Sequence, residues 1–171
     1  AHQTALTHLW HTLGITFTHT TGHSTGEIAA ATLAGILTPQ DAATLITTRA
    51  HLMQNLPHTG TMLTIQATPE EITPTLTEHV SLAAVNGPQS VVVSGTVEEV
   101  QHIGELWRKR GRRTQQLRVS HAFHSPLMDP ILDQLADTLH TLTYHQPTLP
   151  FTGTANSPHP PTTPHYWLDH T

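Results

Sequence analysis

The segment Gly22-His23-Ser24-Thr25-Gly26-Glu27 decides how this chain folds. It fits the pattern Gly-x-Ser-x-Gly, a strand–turn–helix elbow that presents a serine hydroxyl from a tight turn. Residues 15–21 before it are rich in β-branched side chains and predict a strand, whereas the alanine-rich residues 27–37 predict a helix. An ordinary glycine turn between a strand and a helix is the alternative. This context favours the elbow, with Ser24 as a candidate nucleophile.

Composition narrows the class of protein. The chain has 171 residues, enough for one domain with a real core. It has no cysteine, so disulfides, thiolate metal sites and a cysteine nucleophile are excluded. The net charge of -5 gives no reason to expect nucleic acid, and no apolar run is long enough to span a bilayer. We therefore expect a cytoplasmic protein without a nucleic-acid or membrane partner.

Histidine and the basic residues are unusually distributed. The 16 histidines are scattered without metal-ligand spacing, so we expect solvated surface groups and no metal. Arg49 is the first basic residue, and all the others lie in one cluster. That cluster is a solvated helix end or a site for an acidic partner or phosphate, and the first interpretation is favoured. Its members are Arg108, Lys109, Arg110, Arg112, Arg113 and Arg118.

Two helices flank the elbow in the first third of the chain. Residues 2–13 carry one apolar face, and Thr38-Pro39-Gln40-Asp41 has the cap, proline and acid of a helix start. The second helix runs to about Asn55. Arg49 falls on its apolar stripe, where a buried guanidinium is costly unless it meets an anion. Alternatively, its stem lies along the apolar face and its head reaches water.

The region 60–119 predicts an α/β subdomain. Strands are predicted at 61–67, 81–86, 90–94 and 113–119, a short helix at 69–78, and a longer helix capped by Thr96 with Glu99 in a capping box. This βαββαβ order is the ferredoxin-like arrangement.

The remaining residues supply a loop, a helix and a tail. The loop 120–126 carries His121 and His124 after a strand and before a helix at 127–142. Another core strand is predicted at 150–156. In the proline-rich tail, Tyr166 and Trp167 are possible docking residues.

An elbow serine, a lone arginine on a buried stripe and paired loop histidines together suggest an acyl-transfer site. A histidine can act as base for Ser24, and the N–H of Thr25 at the helix start can stabilise an oxyanion. The guanidinium of Arg49 can hold a substrate carboxylate by two hydrogen bonds.

With these residues in view, the chain strongly resembles the acyltransferase domains of modular type I polyketide synthases, relatives of malonyl-CoA:acyl carrier protein transacylases. The matching segments are 22–31, 49–53, 84–95 and 121–128. The resemblance implies an α/β fold. Residues 1–59 and 120–171 would form a partial α/β-hydrolase-like core, and residues 60–119 an inserted ferredoxin-like subdomain.

The resemblance also implies residue roles. Ser24 would carry the acyl group and His124 would be the general base, oriented by a backbone carbonyl near Asn156. Arg49 would bind the free carboxylate of malonyl-CoA, and the other substrate-binding residues would be His23, Thr25, His121 and Phe123.

The resemblance implies that no cofactor would be bound. The acceptor would be the phosphopantetheine of an acyl carrier protein, beside a ketosynthase domain. The alternatives are a serine hydrolase or thioesterase, and an inactive structural fragment of a synthase.

The resemblance also carries expectations about which acyl unit is preferred and about how much of the domain the chain contains. His121-Ala122-Phe123-His124 matches the malonyl form of the family, because the ring of Phe123 would fill the space of an α-methyl group. Thr25 is not among the commonest residues after the serine. The family's upstream glycine-glutamine-glycine segment is absent, so we expect the chain to begin inside the domain with half an oxyanion hole.

Overall fold

The structure is a computed structural model that describes residues 2–57 and 59–171. It separates into two compact units. The first comprises the described residues up to Leu52 together with Asp133–His170, and the second Met53–Leu132 with Thr171. The bounds of these units differ from those of the predicted domains, which are 1–59 with 120–171 and 60–119. The predicted division into a catalytic core and an inserted subdomain stays a prediction. Among the described residues, no helix is long and apolar enough to cross a bilayer.

Helices dominate the first unit. Its two short strands pair in parallel, with Thr20 opposite Phe151 and Thr21 opposite Thr152. The strand predicted at 15–21 is therefore confirmed only at its last two residues. The elements are α1 (His2–Thr12), β1 (Thr20–Thr21), α2 (Thr25–Leu33), α3 (Pro39–Gln54), α6 (Leu132–Leu139), β6 (Phe151–Thr152) and α7 (Pro164–Asp169). The end of α3 and the first residue of α6 belong to the second unit.

The tail helix α7 belongs to the core of the first unit. Tyr166 and Trp167 are only 4% and 1% exposed and pack with Ile28, Leu45 and Leu135. The two side chains are therefore part of the core, and their predicted role as possible docking residues is not supported. Both polar ends are satisfied inside the protein, because Trp167 Nε1 donates to the Pro161 carbonyl at 2.9 Å and the Tyr166 hydroxyl donates to the Glu27 carboxylate.

Helix α1 is confirmed, but its apolar face is not buried. Leu6, Leu9, Trp10 and Leu13 are exposed, with Leu13 at 65%. The helix contacts α2, and the side chain of Gln3 reaches the start of that helix at Gly26.

A four-stranded antiparallel sheet forms the second unit, in the order β3-β4-β2-β5. Leu63 pairs with Val93, and both bury their side chains with Ile103 and Trp107 of the amphipathic helix α5. The predicted β-α-β-β-α-β order of elements is confirmed. The elements are β2 (Gly60–Ile65), α4 (Pro69–Ile72), β3 (Val80–Gly87), β4 (Ser90–Thr96), α5 (Val97–Lys109) and β5 (Thr114–Gln116).

The N-cap position predicted at Thr96 is confirmed, but the predicted capping box with Glu99 is wrong. Thr96 precedes α5 but makes no side-chain capping bond. The Glu99 carboxylate, expected to complete that capping box, accepts instead from the hydroxyl of Thr77. The capping box of this unit lies at α4, where Thr68 accepts from Glu71 N at 3.2 Å and Glu71 accepts from Thr68 N at 2.9 Å.

Several residues of the basic cluster have partners within the second unit. The Arg110 guanidinium lies 4.9 Å from the centre of the Trp107 ring. Arg112 forms an ion pair with Glu71 at 2.5 Å. These contacts give Arg110 and Arg112 partners in the fold, and the choice between a solvated helix end and a site for an acidic partner or phosphate stays a prediction.

Loss of the cap at Thr38 should weaken the first unit. The Thr38 hydroxyl accepts from Asp41 N at 3.0 Å and donates to the Asp41 carboxylate at 2.6 Å. We expect Thr38→Ala to lower the free energy of unfolding by about 1 kcal/mol, measured by urea denaturation. Thr47→Ala, in the exposed middle of α3, should change it by less than about 0.5 kcal/mol. Equal losses for the two variants would contradict the capping role.

Candidate active site

Ser24 occupies a backbone conformation that serine rarely adopts. Its φ is 50° and its ψ is -125°, and it stands immediately before α2. Such a conformation costs on the order of 1–3 kcal/mol and persists only where the surroundings hold it. The serine side chain makes no capping hydrogen bond to α2, although serine before a helix commonly does. The strand–turn–helix elbow predicted from the sequence is thus present at Ser24.

The glycine at position 22 makes this turn possible. A Cβ at Gly22 would lie 2.5 Å from Glu27 N and closer still to the Gly26 carbonyl. The turn is closed by two backbone hydrogen bonds, from Gly26 N to His23 O at 2.9 Å and from Glu27 N to Ser24 O at 2.8 Å. Only a residue without a side chain allows the strand and the helix to approach so closely.

Gly22→Ala should therefore be far more damaging than Gly26→Ala. The new Cβ at Gly22 meets backbone atoms, which cannot move aside, and we expect a loss of about 1–3 kcal/mol or more in the free energy of unfolding. A Cβ at Gly26 meets only the flexible end of Gln3, at 3.3 Å, so this variant is the matched control. Thermal and urea unfolding of both variants measure the difference. Similar stabilities would contradict the close packing of the elbow.

The carboxylate of Glu27 is buried beneath the elbow. Glu27 has no exposed surface, and its oxygens accept from the Tyr166 hydroxyl, the Thr154 hydroxyl and, at 3.0 Å, Thr154 N. Burial, and next the hydrogen bond to Glu27, raise the pKa of the Tyr166 hydroxyl, which keeps it protonated as a donor. These three donors compensate a carboxylate that would otherwise be costly to bury. Sequence reasoning assigned Glu27 no role.

His170 lies directly behind Ser24. The residue is 5% exposed, and its Nε2 is 3.0 Å from the Ser24 carbonyl oxygen and 3.8 Å from the Glu27 carboxylate. Because a carbonyl oxygen only accepts, Nε2 carries the proton. Burial lowers the pKa of His170, and the positive charge of Arg49 lowers it further, against opposing effects of Glu27 and the bond to Ser24. Nothing in the sequence distinguishes this histidine from the others.

Arg49 is a buried cation. It is 3% exposed, and within the described part of the chain its Nε and Nη1 atoms have no hydrogen-bond partner. Burial lowers its pKa to about 10, so it remains charged at neutral pH. The alternative in which the head of Arg49 reaches water does not fit this burial. An unpaired buried guanidinium can bind an anion by charge-assisted hydrogen bonds.

The histidine loop, residues 120–126 with His121 and His124, belongs to the second unit. His124 is half-buried and has a φ of 57°. Among residues 2–57 and 59–171, the non-glycine residues with a positive φ are His124 and Ser24. His121 is buried, and its Nε2 lies 3.2 Å from the Leu56 carbonyl oxygen. The ring of Phe123 is half-buried, with its centre 6.0 Å from that of His121. The contacts of His121 hold the loop in place.

The predicted site residues are thus divided between the units. His23, Ser24, Thr25, Arg49 and Asn156 lie in the first, and His23, Thr25 and Asn156 are exposed. His121, Phe123 and His124 lie in the second. The pairing of Ser24 with His124, and of His124 with the Asn156 carbonyl, stays a prediction. No three histidine, aspartate or glutamate side chains of the described ranges form a metal-binding group.

Comparison with protein families gives a match over almost the whole chain. A family model described as the acyl transferase domain matches residues 1–167. NorB, a protein of the spectinabilin polyketide synthase system of Streptomyces orinoci, is 44% identical over 99% of this chain. The chain spans 8% of the length of NorB.

Solved structures agree with this match. The acyltransferase domain from the second module of the salinomycin polyketide synthase is 42% identical, with a TM-score of 0.92 over 98% of this chain and 41% of that one. FabD from Acinetobacter baumannii is 26% identical, with a TM-score of 0.90 over 98% of this chain and 58% of that one. The chain is therefore shorter than both solved structures.

Proposed function

This chain belongs to the acyl transferase domain family, and we propose that it moves a malonyl unit from malonyl-CoA to an acyl carrier protein during polyketide synthesis. The observation that carries this proposal is the buried guanidinium of Arg49, two of whose nitrogens have no hydrogen-bond partner among the described residues, in the same unit as the strained elbow of Ser24. An elbow serine alone suits many acyl transfers. A buried cation in the same unit, near enough to His170 to lower the pKa of that residue, favours an acyl group that ends in a carboxylate.

We propose two half-reactions. The Ser24 Oγ attacks the thioester carbonyl of malonyl-CoA while His124 takes the serine proton. The tetrahedral intermediate collapses, the C–S bond breaks, and CoA leaves as the thiol with that proton. The phosphopantetheine thiol of the carrier protein then gives its proton to His124 and attacks the malonyl-serine ester. The ester C–O bond breaks, the malonyl group leaves on the carrier thiol as a thioester, and His124 returns the proton to the Ser24 oxygen. Thr25 N–H would stabilise the oxyanion in both steps, and the backbone carbonyl of Asn156 would orient His124.

Arg49 would hold the substrate carboxylate throughout. Leaving a charged donor buried and unpaired costs more than the roughly 1–3 kcal/mol of a neutral one. A bound carboxylate removes this cost and supplies charge-assisted hydrogen bonds worth about 1.5–3 kcal/mol each. The arrangement therefore exchanges some stability of the ligand-free protein for affinity towards a carboxylated acyl group.

The choice of malonyl over methylmalonyl would depend on Phe123. Its half-buried ring in the histidine loop is larger than the serine that would leave room for an α-methyl group. A clash of this size is worth about 1–3 kcal/mol, so the preference would be partial. His23 and His121 complete the proposed substrate-binding set.

We also propose the finer fold description. The strand order β3-β4-β2-β5 with β-α-β-β-α-β connectivity supports a ferredoxin-like second unit. The parallel pair of β1 and β6 around the elbow supports an α/β-hydrolase-like first unit.

Covalent loading of Ser24 tests the reaction. We expect the full-length natural protein, incubated with malonyl-CoA, to gain a malonyl group on the peptide that contains Ser24, and to transfer it to added carrier protein. Ser24→Ala should show no adduct by peptide mass spectrometry. With methylmalonyl-CoA as competitor, the malonyl adduct should predominate. Steady release of malonate without carrier protein would indicate a hydrolase, and an unlabelled wild-type protein would indicate an inactive structural role.

Replacement of Arg49 should separate two substrates. We expect Arg49→Met to lower malonyl loading by about 10- to 100-fold, since charge-assisted bonds to the carboxylate are lost, and to preserve loading from acetyl-CoA. The free energy of unfolding should stay equal or rise, because a buried unpaired charge is removed. Arg118→Met, at an exposed position, is the matched control. Equal losses of malonyl and acetyl loading would show that Arg49 is structural.

A further inference from the structure

We propose that His170 is a positioning residue for the nucleophile elbow. Its Nε2–H donates to the Ser24 carbonyl oxygen, which fixes the plane of the Ser24–Thr25 peptide and so aims the Thr25 N–H at the oxyanion. This inference rests on the proposed acyl transfer at Ser24. It assigns a role to a residue that lies beyond residues 1–167, the segment matched by the family model.

Peptide geometry makes the connection between the two groups. The Ser24 carbonyl and the Thr25 N–H belong to one planar unit, and they point in opposite directions because the described chain has no cis peptide bond. A donor that holds the carbonyl therefore also sets the direction of the N–H. His170 lies on the carbonyl side, so it stands away from the position at which the oxyanion would form.

The elbow needs such a restraint. A serine with a φ of 50° is held by its surroundings rather than by its own preference. The Ser24 carbonyl oxygen accepts hydrogen bonds from Glu27 N at 2.8 Å and from His170 Nε2 at 3.0 Å. Hydrogen bonds to an amide oxygen also polarise the amide, so the Thr25 N–H becomes a stronger donor.

The imidazole of His170 is itself well anchored. It lies at the end of α7 with its ring centre 5.7 Å from that of Trp167, which is fully buried. The Glu27 carboxylate, held by the Tyr166 hydroxyl and by Thr154, lies 3.8 Å from Nε2. These contacts restrain the ring behind the elbow.

The electrostatic surroundings favour a neutral imidazole. Burial is the largest effect and lowers the pKa of His170. The charge of Arg49 and, more weakly, His23 also lower this pKa, whereas Glu27 and the hydrogen bond to Ser24 raise it. A neutral ring with its proton on Nε2 donates to Ser24 without placing a second positive charge beside Arg49. The carboxylate-binding cation and the positioning donor can therefore coexist in one unit.

Three variants test the role kinetically. His170→Leu removes the donor at similar size, and His170→Gln restores an N–H close to the position of Nε2. His165→Leu, at an exposed position on the same helix, is the control. We expect His170→Leu to slow malonylation of Ser24 in a single turnover by about 10-fold or more, with the Kd of malonyl-CoA within about twofold of wild type. His170→Gln should recover most of the rate. Equal rates for wild type, His170→Leu and His170→Gln would overturn the proposal.

NMR spectroscopy of the wild-type protein provides a readout independent of activity. The imidazole ¹⁵N spectrum should show the proton of His170 on Nε2, and the Ser24 carbonyl ¹³C resonance should shift in His170→Leu and return towards its wild-type value in His170→Gln. A proton found only on Nδ1 would overturn the proposal even if His170→Leu did not fold. An intact Nε2–H bond in a protein that forms no malonyl adduct would instead refute the acyl transfer.

Discussion

The buried carboxylate of Glu27 is the interaction on which the first unit depends. It joins the start of α2 to Thr154, just after β6, and to Tyr166 of α7. A buried ion is tolerable only when donors surround it, and a hydrogen bond to a charged group typically contributes about 1.5–3 kcal/mol. Glu27 is three residues after Ser24, so the contacts that satisfy the carboxylate also hold the strained serine in place.

Arg49 presents the opposite case. Both residues are charged and buried, yet the Glu27 oxygens have three donors whereas two Arg49 nitrogens have no partner within the described residues. A protein keeps a costly group of this kind where a ligand completes it. Glu27, whose hydrogen bonds are satisfied, therefore supports the fold of the unit. Arg49, two of whose nitrogens lack partners among the described residues, is the group proposed to bind substrate.

Much of the fold followed from local patterns. The helix start at Thr38, the β-α-β-β-α-β order and the elbow at Ser24 were predicted, because each depends on residues close together in the chain. The failures involved competition between distant groups. Glu99 could cap its own helix, but the Thr77 hydroxyl, 22 residues earlier, bonds it instead. Tyr166, a possible docking residue from its place in the proline-rich tail, instead bonds in the core to Glu27, 139 residues away.

For the candidate site, the sequence by itself determined the chemistry that each residue can perform. It identified a serine in a glycine-flanked turn and an arginine on an apolar stripe, since turn geometry and helical periodicity are local properties. Only the tertiary structure showed that Arg49 lacks partners among the described residues and that His170, 146 residues from Ser24, bonds to its carbonyl. The physical reason is that burial and hydrogen bonding depend on which atoms meet in space. Sixteen histidines are alike in sequence and differ only in what surrounds them.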